Sequence, residues 1–325
     1  MNDTTQQFLH ELKRVYVKEC FHRDENCSEK IVKAHSIQNN KILNKISLNG
    51  NVYCFSLSED DEHHLQVVLA KKGRKVATIF TGFCSYHDNA IFKPIEEQDF
   101  QKNNYQQEFL FAYRALAKEY HAKKELIKRL EKVKEISDLK EKWQIQQLDA
   151  LLIGSQITLN KLEDNKQIFN SVLKQRNFDI IGTRIIKLHG ECQIAVSSVF
   201  AIVNDLNGKN IHNTIEFVDL NKELKLLYVT IFPQGGKTYI LFSYLRRHRK
   251  YLAPVIRQIA NRSIAEQKKI ISNMIAVYVE NLALSPNAWG KMSDSEKSIF
   301  YELNMENVFS TGKSLIKLKN INLFT

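Results

Sequence analysis

No stretch of this 325-residue chain reaches 18 uncharged apolar residues, and the first seven residues, Met-Asn-Asp-Thr-Thr-Gln-Gln, hold no basic segment leading into an apolar one. The first absence argues against a membrane span and the second against a secretory leader, so a cytoplasmic protein without a membrane partner is expected. Acid is also in deficit. The 36 Asp and Glu against 47 Lys and Arg leave a net charge of +11, a positive field that attracts a polyanion, nucleic acid first among the candidates. Cysteine is sparse, with five residues. Without a leader these point to a reducing compartment, where clustered cysteines bind metal more often than they pair. A 43% hydrophobic content over this length can supply the cores of two domains.

What is present is concentrated near the N-terminus. Cys20 and Cys27 form one pair, Cys84 and His87 a second, tighter one. Three thiolates and one imidazole suit the tetrahedral, borderline-soft preference of Zn2+ and leave no coordination position for water, so the expected ion is structural. The Cys84-x2-His87 spacing lets one turn aim both side chains at the ion. Cys20-x6-Cys27 needs a longer loop, and His22 is an alternative to Cys27. Cys54 and Cys192 are expected to be small buried hydrophobes. His63 and His64, beside Asp60, Asp61 and Glu62, read as a hydrated polar loop.

Along the chain, the apolar positions from Phe8 to Lys18 have a helical period, and residues 30–37 read as a short strand. Asn49-Gly50-Asn51 marks a turn before a strand over residues 52–57, with further strands at 65–69 and 76–80. The last leads into Cys84, so the second ligand pair sits at a strand-to-helix turn. This gives an outline of knuckle, hairpin and helix. Residues 102–150 contain no proline or glycine, and apolar residues at 126, 130, 133, 136, 139 and 143 step by three and four: a helical connector with coiled-coil character and a candidate surface for self-association or a protein partner. Beyond about Phe178 strands return, at 180–188 and 192–203 and in a hairpin around Pro233-Gln-Gly-Gly236. A helix over 264–282 and a turn at Ser285-Pro286 follow. Gly235-Gly-Lys-Thr238 is not a phosphate loop, because the glycine required five residues before Gly236 is Ile231. The densest basic patch, Arg246, Arg247, Arg249 and Lys250, is the candidate nucleic-acid contact, with a solvated helix face as the alternative.

The order Cys20, Cys27, Ala34-His35-Ser36-Ile37, then Phe83-Cys84-Ser-Tyr-His87-Asp88-Asn89, resembles the zinc-binding HNH, or histidine-metal finger, nucleases over about residues 15–97. The resemblance implies a zinc-stabilised treble-clef or ββα-metal domain over 1–100; with the helical connector over 101–165 and the C-terminal α+β domain over 166–325 read from the periodicity, the expected fold is α+β. It also implies roles. His35 matches the general base on the strand, Asp88 the helix-borne ligand of a catalytic Mg2+ or Mn2+, and Asn51 or Asn89 the central asparagine; Zn2+ on the four ligands braces the site. The expected activity is metal-dependent hydrolysis of phosphodiester bonds in DNA, in a setting such as bacterial defence. The sequence departs from the family where Ala34 replaces the Asp or His that precedes the catalytic histidine. The alternative function is a zinc-stabilised module that binds nucleic acid or protein without cutting it.

Overall fold

The computed structural model describes residues 11–12, 14–59, 65–136, 142–306, 315–319 and 321–324. The acidic loop with His63 and His64, Leu139, and the first part of the helix expected from Phe8 lie outside these residues. Strands β1 (Ile31–His35), β2 (Asn51–Glu59), β3 (Leu65–Gly73) and β4 (Ile79–Cys84) precede helices α1 (Ser85–Glu96), α2 (Tyr105–Ile136) and α3 (Lys142–Gln175). Then come β5 (Ile181–His189), β6 (Ile194–Ala201), β7 (Leu226–Gln234), β8 (Lys237–Leu245), α4 (Arg249–Ala260), α5 (Ile264–Tyr278), β9 (Leu282–Leu284), α6 (Pro286–Lys291) and α7 (Asp294–Glu306). Helix and strand are thus mixed, as expected.

Seven strands form one antiparallel sheet in the order β3-β2-β9-β6-β7-β8-β5, while β1 and β4 pair in a separate two-stranded ribbon. The sheet is covered on both faces, and the two-residue period of its strands sorts side chains between them. Ala195, Val199, Leu226, Tyr228 and Phe232 pack with α1, α2 and the β1–β4 ribbon. Ile194, Val196, Leu227, Val229 and Ile231 pack with α4, α5 and α7. Burial on both sides explains why these strands read as continuous apolar runs rather than alternating ones. The Tyr53–Leu284 pairing joins β2 to β9, so the sheet runs across positions 100 and 166, where domain boundaries were expected.

Both turn readings correspond to tight connections. Asn49 and Gly50 have φ of 50° and 72°, and the β7–β8 hairpin turns through Gly235 and Gly236 at 59° and 73°, the left-handed values a two-residue hairpin demands. Three expectations need correction. The helix expected over 264–282 ends at Tyr278, and Leu282-Ala283-Leu284 is a central strand with every residue buried. A short apolar run fits either period, and burial between β2 and β6 decides it. Residues 11, 12 and 14 are helical, but the helix expected to reach Lys18 has ended by Val15, and Glu19 and Phe21 donate backbone N–H groups to the Thr81 and Gly82 carbonyls. Finally, the connector is a core element: residues 107–117 of α2 are buried without a break, the mark of a helix enclosed on all sides. Contacts Tyr113–Asn170, Tyr120–Glu163 and Lys134–Asp149 fix α2 and α3 as an antiparallel pair. The stripe expected at 126–143 belongs to its outer half, where Leu126 and Trp143 are exposed.

Candidate metal centre

Cys20, Cys27, Cys84 and His87 come together from three places. The Cys20–Cys27 loop precedes β1, Cys84 ends β4 and caps α1, and His87 lies in the first turn of α1. Their sulfur and nitrogen atoms all lie within 4.8 Å of one another. His87 Nδ1 is 3.3 Å from both Cys20 Sγ and Cys84 Sγ. Tetrahedral bonds of about 2.0–2.3 Å place ligand atoms roughly 3.5–3.8 Å apart, so this set fits a zinc-sized ion with little movement. The cluster could hold a metal ion such as zinc.

The polypeptide aims these groups before any ion is added. Cys84 Sγ accepts the His87 backbone N–H at 3.5 Å, which fixes the helix start. The Cys20 backbone is held by the hydrogen bonds of its neighbours Glu19 and Phe21 to β4. Gly82 is required on that strand, because a Cβ there would collide with the Phe80 ring. Beneath the site Phe83 is fully buried, edge-on to Phe21, Phe80 and Phe92. Burial pushes the Cys20 and Cys27 thiols up. At Cys84 burial acts the same way, but hydrogen bonds from the His87 backbone and from Ser28 outweigh it and hold the thiol at about 7.

A residue not singled out by the sequence completes the arrangement. Asp24 Oδ1 lies 3.1 Å from His87 Nε2, so the imidazole presents Nδ1 to the sulfurs and donates its other N–H to a carboxylate. Such partners orient metal-bound histidines and raise their basicity. Asp24 is itself held by the Asn26 backbone N–H at 2.8 Å, and its other oxygen is 3.5 Å from His22 Nε2. His22 Nδ1 continues to Asn170 Oδ1 at 3.1 Å and the Tyr113 hydroxyl at 3.2 Å, tying the centre to α2 and α3. His22, the alternative to Cys27, therefore sits behind the four-residue set, while Cys27 is within it. The sequence signal for Asp24 was a carboxylate inside the Cys20–Cys27 loop.

His35 ends β1 opposite Ile79, and Asp88 follows His87 on α1. The two are close enough for their charges to act on each other. Burial depresses the His35 imidazole, against a hydrogen bond to the Arg74 backbone, and its Nε2 is buried without a partner. Burial raises the Asp88 carboxyl, with Arg114 opposing. Arg114 and Glu96, absent from the sequence reading, join this group: they pair at 2.6 Å, and the guanidinium stands 4.1 Å over the Phe92 ring. The asparagines lie apart from it in their contacts. Asn51 donates to the Asn49 carbonyl, and Asn89 is exposed. In the basic patch, Arg246 pairs with Asp179 and Arg247 with Glu223, whereas Arg249 and Lys250 are exposed and form no ion pair among the described residues. Cys54 and Cys192 are buried, as expected. No helix among the described residues is long and apolar enough to cross a membrane. Compared with protein families, curated proteins and solved structures, the chain matches none.

Proposed function

We propose that this chain is a metal-dependent endonuclease of the HNH type acting on DNA, with Zn2+ in the Cys3His centre as a treble-clef brace. The observation that carries the reading is that the charges of His35, at the end of β1, and of Asp88, one residue beyond a metal-centre ligand, act on each other across the β1–α1 packing. An imidazole depressed by burial is neutral near pH 7, the protonation state a general base needs, and its Nε2 has no hydrogen-bond partner in the protein. Zinc closed by four protein ligands does no hydrolysis itself; its contribution is to hold β4, α1 and the Cys20–Cys27 loop in one geometry.

A second reading is supported by a specific observation. Among the described residues, the groups whose ligand atoms lie within 4.8 Å of each other are the Cys3His set and His22–Asp24–His87. Among the described residues His35 and Asp88 form no such group with a third ligand, as a catalytic Mg2+ or Mn2+ would require. This favours a zinc-stabilised module that binds nucleic acid without cutting it. Plasmid nicking in Mg2+ or Mn2+ separates the two. The nuclease reading expects nicking by the wild type and its loss in His35→Ala and Asp88→Ala, both with zinc retained. Nicking that persists in His35→Ala refutes the assigned base, and a wild type that binds without nicking establishes the module.

A further inference from the structure

β5 is the last strand of the sheet, and beside the start of α2 it borders a cavity of about 390 Å3. Lys102, Glu108, Arg184, Tyr244, Arg246 and Arg249 contribute to its walls. The floor is built into the fold. Gly182 has no side chain, which lets the buried Tyr244 ring lie across β5; a Cβ would stand 3.0 Å from it. Glu108, 4% exposed, turns its carboxylate to the Asn103 backbone N–H at 3.1 Å. Arg246 is spoken for by Asp179.

The other three cations have no such partner. Among the described residues, Lys102, Arg184 and Arg249 form no ion pair, yet all three border the same concavity. The three are exposed, and although the Glu108 carboxylate in the same wall offsets part of the Lys102 charge, like charges gathered in one concavity repel one another and a bound anion reverses that cost. Two guanidinium forks and an ammonium suit the non-bridging oxygens of a phosphate. At the rim Tyr105 is half exposed, with the Arg246 guanidinium 6.0 Å from its ring centre, an aromatic–cation pair against which a base can stack.

We propose that this cavity is a phosphate-binding site that grips the DNA backbone through Lys102, Arg184 and Arg249. The proposal rests on the nucleic-acid reading above, and it replaces the linear patch of residues 246–250 with a pocket drawn from three separate elements. Its test uses the zinc-loaded full chain without added Mg2+ or Mn2+, so that binding is read without cleavage. Fluorescence anisotropy with a labelled duplex of about 20 base pairs, over about 50–200 mM salt, gives the affinity and its salt slope. The double variant Arg184→Gln/Arg249→Gln is expected to weaken binding roughly tenfold or more and to reduce the slope by about 0.9 per lost contact, close to two in all. Lys102→Gln should reduce it by about 0.9, and the exposed control Lys291→Gln should match the wild type. Thermal melting confirms that each variant is folded. Wild-type affinity and slope in the folded double variant would overturn the cavity assignment, while His35-dependent nicking would leave the nuclease reading intact. A wild type with no salt-dependent DNA binding would overturn both.

Discussion

Replacing Asp24 with alanine removes the acceptor of the His87 Nε2–H without touching a metal ligand. Outer carboxylates of this kind are worth about 10–100-fold in metal affinity, or roughly 1.4–2.7 kcal/mol. Two structural facts decide where in that range the effect falls. The 3.1 Å contact and the Asn26 N–H that fixes the carboxylate argue for a full orienting role, but the Asp24 side chain is 30% exposed, so water can take over part of the hydrogen bond. The lower end, about tenfold or 1.4 kcal/mol, is expected. Competition with a chromophoric zinc chelator measures it directly, with His22→Ala as the comparison. The His22 imidazole meets the carboxylate at 3.5 Å and packs edge-on to the His87 ring, 4.8 Å between centroids, but makes no side-chain hydrogen bond to a ligand, so its effect should be smaller. An Asp24→Ala affinity within about twofold of wild type would refute the orienting role, and a wild type that binds no zinc would refute the centre itself.

Phe83→Ala should cost about 3–5 kcal/mol in denaturant unfolding, because a fully buried ring packed on those of Phe21, Phe80, Phe92 and Tyr113 leaves a cavity that strand β4 cannot close. A loss under about 1 kcal/mol would contradict this packing. Glu119 offers a pH test. Burial, reinforced by Glu280 and opposed by Lys123, pushes its carboxyl up to about 7. The folded chain therefore keeps a proton that the unfolded chain releases near the ordinary carboxyl range, and Glu119 makes stability fall as pH rises through that window to about 7. Glu119→Gln should gain on the wild type, on the order of 2 kcal/mol, between about pH 5 and 8, as read by thermal melts at both ends; a constant difference would exclude the assignment. Arg247→Gln should leave the salt slope of DNA binding unchanged, since its guanidinium is held by Glu223; a drop near 0.9 would show that it contacts phosphate instead.

The metal ligands were legible because coordination chemistry acts locally. Cys84 and His87 are one helical turn apart, and Cys20 and Cys27 bracket one loop, so residue type and spacing identify them. The Asn49-Gly50 and Gly235-Gly236 turns were legible for a similar reason, since few residues accept positive φ in succession. Asp24, Glu96 and Arg114 were not. Each is an ordinary charged residue in sequence, and its place depends on an orientation set by folding. The strand at Leu282–Leu284 was hidden because three apolar residues after a helix carry no period of their own.

The sequence by itself determined the mixed helix and strand content, the Cys3His set and the hairpin turns, all properties fixed within a few residues of chain. Only the tertiary structure decided that β2 joins β9, that the first turns of α2 form the centre of the core, and that Lys102, Arg184 and Arg249 share one cavity. Those outcomes follow from burying apolar surface and distributing charge among segments far apart in the chain, a competition between long-range alternatives that no local pattern records.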